Sequence, residues 1–131
     1  MRSVILVLVF SAVTALGVDH FWKGDLMSET RVAQKWGKSP LDVKVFKSAN
    51  EGQRAKMAFS LLNQQKEFKG KHVSEIREIF GNPDGFYFSD VFPAYLIQTA
   101  STNKEESWQI VFMLNTERRV EKIIVHKNCC D

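Results

Sequence analysis

Three side chains near the end of this sequence have the types that hold metals or react as thiols: His126, Cys129 and Cys130. Their H-x2-C-C order supplies three soft or borderline ligands for zinc or copper. Adjacent cysteines chelate awkwardly, however, because consecutive α-carbons lie about 3.8 Å apart. That is short of the roughly 4.4–6.8 Å of an ordinary disulfide. Free thiols, an intermolecular link and a strained vicinal bridge all stay open for the pair, and an inert tail is the plainest reading. No catalytic constellation is spelled out. Gly37-Lys38-Ser39 imitates the end of a phosphate-binding loop, but Val32 stands where the first glycine belongs. The sequence has no G-x-S-x-G, H-E-x-x-H or C-x-x-C, and His20, His72 and His126 are scattered.

A second group is aromatic. Phe86, Tyr87, Phe88, Phe92 and Tyr95, with Pro93, are dense enough to fill a small core or to form an interaction patch. Core packing is the simpler reading, and Tyr87 is the member expected to show at the surface. Lys66, Lys69, Lys71 and His72 make a short basic stretch suited to lipid phosphates or an acidic partner, or to plain solvation.

The elements that must position these groups follow from composition and pattern. The chain has 131 residues, 44% of them apolar and 25% charged, as expected of one globular domain. Its net charge of +3 is too small for the concentrated basic face that a nucleic-acid partner demands. Arg2, the apolar run from Val4 to Val13, and the small-residue site Ala15-Leu16-Gly17 read as a secretory signal over residues 1–17. Extended to Val18, the run is still shorter than the ~20 residues of a membrane-spanning helix, and a retained anchor is the alternative. No Cys follows the run, so a lipid anchor has no attachment point.

Residues 18–47 read as an N-terminal arm. A short helix is expected there, capped by Ser28 and stopped by Gly37, and Leu41 to Phe46 after Pro40 should be extended or irregular. Phe21, Trp22, Trp36 and Phe46 would pin this arm to the domain behind it. Residues 48–131 carry that domain. Ser48-Ala49-Asn50-Glu51 reads as a capping box. The helix it opens sets Ala55, Ala58, Phe59 and Leu62 on one stripe, with Arg54, Lys56 and Ser60 largely off it. A second helix buries Val73, Ile76 and Phe80, and ends at Gly81 before Pro83. The period then shifts to that of strands: Tyr95 to Thr99, Trp108-Ile110-Phe112-Leu114, and Val120 to His126. Two helices on a three-stranded antiparallel meander make an α+β domain.

The stretch Gly70 to Pro83 resembles the G-x5-V/I-x3-L/F-G-x-P signature of small outer-membrane-assembly proteins of the BamE (SmpA/OmlA) type. The resemblance spans about Ala49 to Lys127 and implies an ααβββ fold without cofactor or catalytic residues. It also implies an envelope role through protein–protein or protein–lipid contacts. Within that signature Gly70, Gly81 and Pro83 have a structural task, turn geometry and helix termination. The arm and the Cys-Cys tail lie outside the family pattern. The expectation is an exported, non-enzymatic binding or scaffold module of the bacterial cell envelope. It would be periplasmic or secreted after cleavage, and its partner another envelope protein. Peripheral membrane contact would be an addition to that role. An inhibitor or immunity-type protein, or a thiol or metal protein, are the alternatives.

Overall fold

A computed structural model describes residues 26–88, 91–99 and 107–127. The signal-like segment, and Cys129 and Cys130, lie outside the described residues. Within them the chain is α+β, with four α-helices and one four-stranded antiparallel sheet. The strands are β1 (Leu26–Met27), β2 (Ala94–Gln98), β3 (Trp108–Leu114) and β4 (Val120–Lys127). Their order across the sheet is β1-β4-β3-β2. The expectation of three strands is therefore corrected: the arm contributes a short fourth, with Leu26 opposite His126 and Met27 opposite Val125.

The first helix, α1 (Glu29–Trp36), has the ends its sequence announces. Ser28 accepts from the Arg31 N–H, and Gly37 closes the helix at φ 94°. Leu41 to Phe46 departs from expectation, because Val43–Ser48 forms a second helix, α2. Asp42 explains it: its carboxylate accepts from the Lys44 and Val45 N–H groups, satisfying donors that a helix start otherwise leaves open. Ser48 is consequently the last residue of α2 and does not cap the next helix. Ala49 is extended, and Asn50 caps α3 (Glu51–Asn63) in a reciprocal box with Gln53 at 2.9 and 3.1 Å. The α3 stripe buries Ala55, Ala58 and Leu62 as expected, leaves Phe59 half-buried, and adds Met57 and Leu61. Ser60 is buried as well, its hydroxyl donating to the Ser39 carbonyl, and the Ser39 N–H donates to Lys56. These two bonds tie the arm to α3.

Helix α4 (Val73–Phe80) begins at His72, whose Nδ1 accepts from the Ser74 N–H while Glu75 reaches back to the His72 N–H. Gly81 ends it at φ 92°, and its carbonyl accepts from the buried Tyr95 hydroxyl at 2.8 Å. The helices cover one sheet face. There Phe46, Phe80, Tyr95 and Phe112 pack with centroids 5.0–5.9 Å apart in four of their pairs, three edge to face and Phe80–Phe112 tilted. Such pairs add about 0.5–1.5 kcal/mol each beyond burial. Trp36 of α1 meets Trp108 of β3 edge-on at 6.5 Å.

Candidate functional site

Among the described residues, the opposite sheet face carries no helix. Its cover comes from the chain between α4 and β2, which Gly81 and Pro83 turn away from the helix axis. Asp84 meets the outer edge of β2, accepting from the Leu96 N–H at 2.9 Å and from Arg54 at 3.0 Å. Arg54, from α3, also donates to the Leu96 carbonyl at 2.8 Å. Gly85 then donates to the Ala94 carbonyl at 2.8 Å. A Cβ on Gly85 would run into the Gln109 amide oxygen and the Ala94 backbone, so only glycine lets the chain pass this close.

Beyond Gly85 the loop follows a row of register partners from Gln109 on β3 to His126 on β4. Phe86 sits over Gln109, and Tyr87 packs edge-on against His126 at 4.7 Å. Tyr87 also touches Phe88 at 4.6 Å and Phe92 at 5.9 Å. Side chains along this extended stretch alternate, with Tyr87 half-buried against the sheet and its two neighbours turned outward. Phe86 is 53% and Phe88 73% exposed, and Phe88 holds a left-handed φ of 57°.

The five aromatic candidates thus divide. Phe86 and Phe88 stand out at the surface, Tyr87 and Phe92 are half-buried beneath them, and Tyr95 belongs to the core at 1% exposure. Tyr87 is not the most exposed member, because the alternation turns it inward. Phe86 to Phe88 lie outside the four named strands of the sheet. Removal from water holds the Tyr95 phenol far above its ordinary value near 10. Arg77 and Arg54 pull in the opposite direction and are outweighed.

The signature positions do the work of turns. Gly70 takes φ 87°, donates to the Val120 carbonyl and accepts from the Arg119 guanidinium. The basic stretch meets a second one here: His72 bridges Arg119 across the β3–β4 turn, with acidic Glu67, Glu75, Glu117 and Glu121 interspersed. His126 is placed beside the aromatic loop. Among the described residues, no group of three His, Cys, Asp or Glu side chains comes together as a metal site would require. Among them too, no helix is long and apolar enough to cross a membrane.

The chain itself occupies groups on the outer edge of β2 and on the part of β4 beyond β1. Asp84, Arg54 and Gly85 take the Leu96 and Ala94 groups of β2. On β4, β1 covers one end. Beyond it Gln65 accepts from the Ile123 N–H at 3.0 Å, and Gly70 and Lys71 pair with Val120. A partner strand would have to displace these bonds before adding to the sheet.

Four residues central to this arrangement escaped sequence reasoning: Arg54, Asp84, Gly85 and Gln109. Only Gln109 carried a signal, as a polar residue inside the otherwise apolar run Trp108 to Leu114. Comparison with protein-family models, with curated proteins and with solved structures yields no match to this chain.

Proposed function

We propose that this protein is an exported, non-enzymatic binding module of the bacterial cell envelope, and that it holds another envelope protein through the Phe86–Phe88 loop. One observation carries the reading: two large aromatic rings protrude from a loop that is braced at Asp84, Gly85 and Phe86. Exposed aromatics of this kind cost solubility, and rigid ones lose little freedom on binding, which is the character of interface hot spots. The rings are exposed, whereas small-molecule sites bury most of their ligand, so a protein surface is the better complement. The occupied groups of β2 and β4 argue against strand addition at those strands.

The envelope assignment rests on the signal-like segment and on the resemblance to BamE-type proteins. The succession of α3, α4, β2, β3 and β4 supports that resemblance, and the added β1, α1 and α2 depart from it. A photo-crosslinking phenylalanine analogue placed at Phe88 tests the reading in intact envelopes. Val45 on α2, 44% exposed, is the control position. A discrete protein adduct from position 88 and none from 45 is expected. Equal, diffuse labelling from both positions would refute it.

A further inference from the structure

We propose that Gln109 is a positioning residue, a latch whose side-chain amide fixes the aromatic loop in the form that binds. The inference rests on the binding role of that loop. Gln109 lies in the central strand β3 and is fully buried, at 0% exposure. Its Oε1 accepts from the Phe86 N–H at 3.0 Å, and its Nε2 donates to the Phe86 carbonyl at 2.7 Å. One side chain thereby offers the loop what a neighbouring strand would offer, an acceptor and a donor to the same residue. Both ends of the amide are used, so its burial is compensated. Neighbouring positions on this face of the sheet, Val111 and Ala94, are apolar and buried, and a leucine would suit that setting as well. What an aliphatic side chain lacks is a grip on the Phe86 backbone.

The loop depends on that grip because its course is not that of a regular strand. Gly85 clears the Gln109 amide with no room for a side chain, and Phe88 turns back through a left-handed conformation. With the amide in place, Phe86 and Phe88 are presented with little freedom left to lose on binding. Without it, each encounter must first order the loop, which lowers apparent affinity by the fraction of molecules so ordered.

The test pairs amide hydrogen exchange at Phe86 with the position-88 crosslink, both on the full chain. Gln109→Leu keeps an apolar filling and removes both hydrogen bonds. It should lower protection of the Phe86 amide by about tenfold and weaken the crosslink, while the core amides of β3 and β4 stay protected. Gln109→Glu supplies the readout that a purely structural role would not move. A neutral carboxyl can still accept from the Phe86 N–H and donate to its carbonyl; an ionised one can only accept, and repels that carbonyl. Loop protection and crosslinking in this variant should therefore rise on acidification. The titratable groups around position 109 are His126 opposite on β4, Tyr87 in the loop, and the Asp84–Arg54 pair at β2. The unsubstituted chain at the same pH values accounts for their own responses. Full crosslinking from Gln109→Leu despite an unprotected Phe86 amide would overturn the latch and leave the binding role intact. Absence of an adduct from the unsubstituted chain would overturn both, even with the Phe86 amide protected.

Discussion

The two faces of the sheet use aromatic side chains to opposite ends. On the helical face, Phe46, Phe80, Tyr95 and Phe112 are each no more than 1% exposed, and each ring is held by others. On the other face, Phe86 and Phe88 are mostly in water, although the backbone that carries them is bonded to β2 and β3. In the first region the rings hold the backbone in place; in the second the backbone holds the rings out. A fold seeking only stability would bury both sets. The exposed pair is where the proposed contact function would act.

The largest effect that tests this contrast lies in the core. Phe80→Ala should destabilise the domain by about 3–5 kcal/mol, through lost burial and the cavity left among Phe46, Phe68 and Phe112. Urea unfolding with an unchanged slope would measure it. A loss under 1 kcal/mol would mean that the helical face is not the principal core.

Tyr95→Phe should be smaller, about 1–2 kcal/mol at neutral pH, because it deletes the bond to the buried Gly81 carbonyl and little volume. Its signature is in alkali. The buried phenol holds its proton to higher pH than the unfolded chain does, since burial raises its ionisation above the ordinary value near 10. Above that value the unfolded state binds fewer protons, so stability falls as pH rises. The phenylalanine variant should lack this component, and the two stability profiles should converge in alkali. Parallel profiles would remove Tyr95 from the core as described.

The smallest effect should carry the opposite sign. Phe88→Gly exchanges a side chain strained at φ 57° for a residue at ease there, and loses no core contact. Stability should hold or rise by up to about 1 kcal/mol, after allowance for the greater freedom of glycine in the unfolded chain. Thermal unfolding of the variant reads this directly. A clear loss of stability would mean that the exposed ring supports the fold after all.

Much of this architecture was legible in advance, and the reason is locality. Ser28 and Gly37 as the ends of α1, the buried stripe of α3, and Gly81 closing α4 all depend on residues within a turn or two of one another. The Trp108 to Leu114 alternation likewise identified the β3 face that meets the helices. Where local signals competed, the reading failed. Ser48 reads as the cap of α3 in the sequence, but Asn50 takes that place because Asp42 starts a helix that ends at Ser48. Leu26–Met27 is too short to show a strand period at all, and it is a strand only because β4 lies beside it.

By itself, then, the sequence determined the ends of α1, the close of α4, the apolar stripes, the late strands and an α+β class, since each is written in spacings of a few residues. Tertiary structure alone decided that Phe86 and Phe88 face water while Tyr95 does not, and that Gln109 is fully buried beneath a loop some twenty residues earlier in the chain. Those outcomes depend on what covers the second face of the sheet. The cover is set by Arg54, Asp84 and Gly85, which arrive from a helix and a turn remote from the strands they meet. Burial is a property of the whole packing, and no local period encodes it.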